Sequence, residues 1–199
     1  MKRLVVASGN KGKLREIGRI LEESGIELLT PADFPGLPEV DETGATFEAN
    51  AILKAQSAAD FTGLPALADD SGLVVDILDG RPGVYSARFA GIGAGDAANN
   101  SRLLDEMAGV PAEKRQAAFH CVIALCLPGG TCKTFYGKLS GTVLDSPRGD
   151  DGFGYDPLFL VPEFGMTLSE LPLDAKNSIS HRGRALEEFR RYLREGASI

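Results

Sequence analysis

Residues 8–13 read Ser8-Gly9-Asn10-Lys11-Gly12-Lys13, between the apolar Val5-Val6-Ala7 and the helix-like Leu14-Arg15-Glu16-Ile17. A strand, a glycine-bearing turn and a helix make the layout of a phosphate-binding turn. Glycines let backbone N–H groups approach an anion, and the helix N-terminus behind them favours negative charge. Lys13 adds a point charge, and Ser8 and Asn10 add short polar arms. The spacing matches neither G-x-x-x-x-G-K-[ST] nor G-x-G-x-x-G. An ordinary strand-to-helix connection uses Gly and Asn for turn reasons alone, so both readings stand.

Four further stretches carry chemistry-bearing side chains. Asp69-Asp70-Ser71-Gly72 sits between apolar runs. With Glu39 or Glu42 from the preceding loop, it would offer the oxygen ligands that Mg²⁺ prefers, although a surface β-turn has the same composition. In a strand, adjacent side chains alternate, so at most one of the two aspartates faces a given side. Asn50 and Lys54 are four residues apart, on one face of a predicted helix, beside a stripe of Ala51, Ala55 and Ala58. Lys54 there reaches either a phosphate or solvent. In "GFGYDP" (152–157), Phe153 and Tyr155 offer ring faces on which a base could stack, and Pro157 biases Asp156 toward an extended conformation. A tight turn in a sheet accounts for that stretch equally well. "KNSISHRG" (176–183) gathers Lys176, His181 and Arg182 around a helix start, where cations oppose the dipole and a bound anion would offset the cost. His120 lies in an apolar strand and reads as packed.

Composition bounds the class. The chain has 199 residues, 43% hydrophobic and 25% charged, with a formal net charge of −7. That is ordinary for a soluble globular protein, and the acidity argues against general binding to nucleic-acid backbones. The apolar run Leu4–Ala7 is too short for a signal peptide, and no stretch approaches the ~18 apolar residues of a membrane span. The three cysteines, Cys121, Cys126 and Cys132, form no C-x-x-C and read as free thiols of a cytoplasmic protein.

The elements that would hold these residues alternate early. The expected order is a strand over Lys2–Ala7, a helix over Lys13–Ser24 closed by Gly25, and a strand over Ile26–Leu29. A loop over Pro31–Gly44 leads to a helix capped by Thr46 and running to about Phe61. After a polar turn at 69–72 come a strand over Leu73–Leu78, a loop over Asp79–Gly95 and a helix over Asp96–Ala108. Two long β runs, Gln116–Leu127 and Thr131–Leu144, flank the hairpin signal Pro128-Gly129-Gly130. A strand inside 149–165, with loop on either side, and a last helix capped by Ser180 and ending near Arg194 complete the order. Helices alternating with strands, followed by a late hairpin, predict an α/β protein with a mixed sheet.

The segments "SGNKGKLRE", "ETGATFEANAILKA", "ADDSGLVVDIL", "RPGVYSARFAG", "GFGYDPLF" and "SISHRGRAL" occur in this order from Leu4 to about Leu193. In this, the chain closely resembles the inosine triphosphate pyrophosphatases, also called XTP/dITP or non-canonical purine nucleotide pyrophosphatases. The resemblance implies one catalytic domain over residues 1–199, two-lobed, with a long mixed β-sheet flanked by helices and a deep central cleft. It also implies a homodimer that hydrolyses dITP, ITP and XTP to the monophosphate and pyrophosphate with Mg²⁺, clearing deaminated purines from the nucleotide pool. Carried over residue by residue, Ser8, Gly9, Asn10, Lys11, Gly12 and Lys13 would hold the triphosphate, with Lys54 assisting. Glu42 and Asp70 would anchor the metal, Asp70 would also activate water, Asp69 would support them and Ser71 would touch substrate. Phe153, Gly154, Tyr155 and Asp156 would form part of the base pocket, and Lys176, His181 and Arg182 would contact the nucleotide, chiefly its base. Asp150-Asp151 departs from the family's smaller or neutral residues and puts added negative charge beside the base loop.

The residue types suit that chemistry. Cations and Mg²⁺ would neutralise charge developing on the leaving pyrophosphate. Hypoxanthine and xanthine carry a 6-oxo acceptor where adenine carries a 6-amino donor, so donors such as His181 or Arg182 would favour the former. Three other readings compete with this one. Three carboxylates argue against a non-catalytic nucleotide-binding module, and the net charge of −7 argues against a nucleic-acid binder. A pyrophosphatase of modified pyrimidine triphosphates is the third, and the His181-Arg182 pair favours purines over it.

Overall fold

A computed structural model gives the fold and describes residues 2–196. The strands are β1 (Lys2–Val6), β2 (Ile26–Leu29), β3 (Ala66–Val75), β4 (Gln116–Cys126), β5 (Cys132–Val143), β6 (Phe159–Val161) and β7 (Met166–Thr167). They form one sheet in the order β2-β1-β3-β4-β5-β6-β7. β1 pairs in parallel with β2 and β3, whereas β6 pairs antiparallel with β5 and β7, so the sheet is mixed as the pattern predicts. Register follows the apolar residues, with Leu4 opposite Leu28 and Val5 opposite both Leu29 and Ala66. The helices are α1 (Lys11–Leu21), α2 (Phe47–Thr62), α3 (Gly95–Glu106), α4 (Leu173–Ile179) and α5 (His181–Arg194).

Three local expectations are corrected. Residues 69–72 are not a turn: β3 runs unbroken through Asp69, Asp70, Ser71 and Gly72. A turn reading from composition presumes solvent, but here the carboxylates are buried and find partners inside the protein. Helix α1 starts two residues early because the Asn10 side chain accepts the Lys13 backbone N–H as its cap. The short α4 is unanticipated, and Ser180 closes it before α5 begins.

The chain divides into two compact units. The first comprises the residues up to Asp70, Cys121–Gly137 and those from His181 onward; the second comprises Ser71–His120 and Lys138–Ser180. β3, β4 and β5 each contribute to both. In the first unit, Leu4, Ile17, Leu67, Ile123, Leu186 and Phe189 belong to one apolar cluster. A second cluster packs the α2 stripe Ala51, Ala55, Ala58 and Ala59 with Ala66, Ala68 and Ala124 of the sheet, where small side chains allow close approach. The second unit has its own core, including Leu73, Leu103, Met107, Phe119 and Phe159.

Helix α5 begins hard against β5. A Cβ on Gly137 would collide with the His181 carbonyl oxygen and stand 2.7 Å from the Ala185 backbone nitrogen. Both obstacles are backbone, so Gly137→Ala must displace the start of α5. It is expected to destabilise the protein by about 3 kcal/mol, the upper part of the overpacking range, as read by urea denaturation. A change below about 0.5 kcal/mol would show that α5 yields freely.

The free-thiol expectation is also corrected. Cys126 and Cys132 are joined as a disulfide across the β4–β5 hairpin, while Cys121 is free and buried. The Leu127–Thr131 backbone hydrogen bond closes the hairpin and brings the flanking cysteines opposite each other. Among the described residues, no helix is long and apolar enough to cross a membrane.

Candidate active site

The alternation of β3 sends its two aspartates to different partners. In the first unit, Asp69 Oδ2 accepts from Lys13 Nζ at 2.9 Å and from Arg182 Nη2 and Nε at 3.1 and 3.3 Å. Arg182, 1% exposed, turns its Nη1 to the buried carboxylate of Glu16 on α1. Asp70 accepts from Asn50 Nδ2 at 3.0 Å and lies 3.4 Å from Lys54 Nζ. Lys54 Nζ also donates to Glu42 at 2.7 Å, so one ammonium bridges the loop carboxylate and the strand carboxylate. Asn50 Oδ1 accepts the Gly44 N–H at 2.7 Å, tying the loop that carries Glu42 to the helix that carries Lys54.

These surroundings set the charge states apart. Burial pushes the Asp69 carboxyl up, but the charges of Lys13 and Arg182, then Lys54, outweigh it and hold Asp69 well below the usual carboxylate range. Asp70 is raised: burial dominates and Glu42 adds to it, while Lys54, Lys13 and the Asn50 hydrogen bond only partly compensate. Burial works against the Lys54 ammonium, yet Asp69, Asp70 and Glu42 together raise its pKa. Two neighbouring carboxylates thus differ in basicity. Asp69, between cations, is held toward its ionised form, and Asp70 is the more proton-accepting of the two. That split is the usual mark of acid–base work. Nearby, burial pushes the Cys121 thiol up to about 12, which leaves it inert.

The opening turn caps the helix and leaves its N-terminus open. Asn10 caps α1, and its own N–H donates to Ser8 Oγ at 3.2 Å. Gly9 and Lys11 are exposed and Lys13 is half-buried, so the helix N-terminus stays reachable by an anion. His181 is buried at the start of α5, next to Arg182.

The second unit holds Ser71, Phe153, Gly154, Tyr155, Asp156 and Lys176. Lys176 Nζ donates to Asp156 Oδ2 at 2.5 Å and lies 4.9 Å from the centroid of the Phe153 ring, a cation–π distance. The same Asp156 oxygen accepts the Phe153 N–H at 2.9 Å. Tyr155 differs from the stacking role expected of it. Its ring is part of the second core and its hydroxyl donates to the Ser86 carbonyl at 2.9 Å, so the partly open ring of this loop is that of Phe153. Arg182 differs similarly: the donors expected to meet a base edge are engaged by Asp69 and Glu16.

Sequence reasoning missed Glu16 as a site residue. The available signal was a carboxylate one helical turn beyond Lys13, at the border of the Leu14, Ile17 and Leu21 stripe. Among the described residues, no group of three or more His, Cys, Asp or Glu is arranged to hold a metal ion. Glu42 and Asp70, both within reach of one Lys54 ammonium, nonetheless form an oxygen-only pair. Such a donor set suits Mg²⁺, which takes one or two protein carboxylates and completes its shell with water and substrate phosphates.

The sequence model of the Ham1 family matches residues 4–192. The chain is 63% identical to the dITP/XTP pyrophosphatase of Geobacter sulfurreducens over 193 residues, covering 97% of each chain. It is 53% identical to the dITP/XTP pyrophosphatase of Desulforamulus reducens, covering 94% of this chain and 92% of that one. Among solved structures, a HAM1 protein from Coxiella burnetii superposes with a TM-score of 0.90 at 43% identity, covering 98% of this chain and 100% of that one.

Proposed function

The chain belongs to the Ham1 family, and from that premise we propose that it is a nucleoside triphosphate pyrophosphatase acting on dITP, ITP and XTP. The products are the nucleoside monophosphate and pyrophosphate. The observation that carries this reading is the Glu42–Lys54–Asp70 cluster, in which two carboxylates share one largely buried cation. An anion-binding module has no use for such a cluster.

In the reaction, water adds to the α-phosphorus and the bond to the α–β bridging oxygen breaks. The proton released by the water passes to Asp70, whose raised pKa suits a general base. Lys13 and the N-terminus of α1 hold phosphate oxygens, and Lys54 balances the charge that gathers on the leaving pyrophosphate. Asp69 stays ionised and keeps Lys13 in place. Glu42 and Asp70 are the residues that would hold Mg²⁺, which when bound supplies further charge neutralisation at the phosphates. In the second unit, Phe153 offers the base a ring face, braced by Asp156 and Lys176. Arg182 contributes through Asp69.

A cytoplasmic location and a homodimer belong to the same proposal. Sedimentation at micromolar concentration should report twice the monomer mass.

The deciding experiment is pyrophosphate release from dITP, XTP, dATP and dGTP, each with Mg²⁺ and with a chelator. Fast, chelator-sensitive release from dITP and XTP alone is expected. Release from all four would discard the account of the base pocket, and release from none would discard the enzyme. In the same assay, Lys13→Ala should raise the KM for dITP by about tenfold to a hundredfold, the loss of one charge-assisted phosphate contact. An unchanged KM would leave the opening turn as a helix cap only.

A further inference from the structure

We propose that Asp96 and Asn100 of α3 are positioning residues that fix the base-stacking loop and thereby set base discrimination; this rests on the function proposed above. They stand four residues apart, on one face of the helix. The Gly154 N–H donates to Asp96 Oδ2 at 2.7 Å, and Asn100 Nδ2 donates to the Gly154 carbonyl oxygen at 2.9 Å. One helix face therefore grips both polar groups of a single loop residue, and that residue follows Phe153 directly. Gly154 sits at φ +62°, a left-handed conformation that side-chain-bearing residues rarely adopt, so the grip holds the loop in a shape few sequences take up.

The hold is completed within the same unit. Asp156 accepts the Phe153 N–H, and Lys176 lies over the ring. Phe153 is thus fixed at its own backbone, at the next residue and at its face. The α3 contacts add to that hold a fixed position for the residue that follows the ring. The other half of the Asn100 amide strengthens the argument. Its Oδ1 is buried and makes no hydrogen bond. An apolar residue at position 100 would avoid that unsatisfied oxygen, and would also release Gly154. The donor half outweighs the orphaned half only if holding Gly154 matters.

A base that stacks on a loosened ring loses orientation, and the donors that read its edge lose their alignment with it. The phosphates are held elsewhere and keep their contacts. Asp96→Ala and Asn100→Ala should each raise the KM for dITP by about fivefold, in line with one lost hydrogen bond. Both kcat and the inhibition constant of inorganic tripolyphosphate, which has no base, should stay within twofold. In the double variant, the ratio of kcat/KM for dITP over dATP should fall by about tenfold or more. Asp96→Asn keeps an oxygen that can accept from Gly154 and should restore most of the loss. Asn100→Asp sets an acceptor against a carbonyl and should not.

The outcomes separate cleanly. Wild-type protein that releases no pyrophosphate from dITP or XTP overturns the proposed function and this inference with it. An active wild type whose double variant keeps its KM and its dITP/dATP ratio within twofold overturns the inference alone. So does a double variant in which kcat falls while KM and the tripolyphosphate constant both rise, together with a loss of thermal stability, since that is the signature of a purely structural contact.

Discussion

Asp70→Asn is expected to cut pyrophosphate release from dITP by about 10³-fold while leaving dITP affinity within a few-fold of wild type, the scale of lost general-base help. The substitution is nearly isosteric. The amide oxygen it introduces can still accept from Asn50 Nδ2, so the local fold keeps the hydrogen bond that ties β3 to α2. What disappears is the proton acceptor, and with it one of the two negative charges that would hold Mg²⁺, while Glu42 stays in place. Asp70 is the group whose burial, reinforced by Glu42, raises its affinity for a proton above that of an ordinary carboxylate. Asp69 cannot substitute for it, because Lys13 and Arg182 hold that carboxylate ionised and its side chain leaves the other face of the strand. Turnover by pyrophosphate release and affinity by calorimetry with dITP would be measured on the same preparation. A variant retaining more than a tenth of wild-type turnover would remove Asp70 from the proton transfer.

What the sequence revealed about this site follows the distance over which each feature is decided. Features settled within one or two helical turns were legible: the Thr46 cap of α2, the shared face of Asn50 and Lys54, the alanine stripe, and the strand–turn–helix at the N-terminus. The mixed sheet followed from the order of periodic segments, because a late hairpin cannot be accommodated by parallel pairing alone. Features decided by remote partners were not legible. Asp69-Asp70 looked like a solvated turn because its partners are spread over the chain: Lys13, Asn50, Lys54 and Arg182. Glu16 and Arg182 are 166 positions apart, and nothing local to either announces the pair. Tyr155 and Phe153 look alike as aromatic residues in a glycine-rich loop, and only the Ser86 carbonyl decides that one of them turns inward. Asp96 and Asn100 read as the polar side of an ordinary helix until the loop 54 residues beyond Asn100 is seen to lie on them.

The second large effect is on stability. Arg182→Met should destabilise the protein by about 3–5 kcal/mol in urea at neutral pH, because it takes the guanidinium away from two buried carboxylates. Methionine approximates the aliphatic stem, so most of the change is electrostatic and not a cavity. Arg182 is the cation common to Glu16 and Asp69, both of which have almost no solvent to turn to. Lys13 still faces Asp69 in the variant, but Glu16 loses the Arg182 guanidinium altogether. The pH dependence carries a definite sign. A carboxyl whose pKa is depressed on folding contributes stability above its unfolded pKa, roughly 3.9, and that contribution is lost as pH falls toward the folded value. Asp69 is such a group, with Arg182 among the causes, so the gap between wild type and Arg182→Met should be widest above about pH 5 and narrow on acidification. Combining Arg182→Met with Glu16→Gln should recover part of the loss, since a neutral amide is less costly to bury than a carboxylate that has lost its guanidinium. A single variant destabilised by less than about 1 kcal/mol, or a gap that stays constant from about pH 7 to about pH 4, would mean that water or a rearranged Lys13 takes over the network. In that case the low proton affinity of Asp69, and with it the contrast to Asp70 on which the proton transfer depends, would not be the work of Arg182.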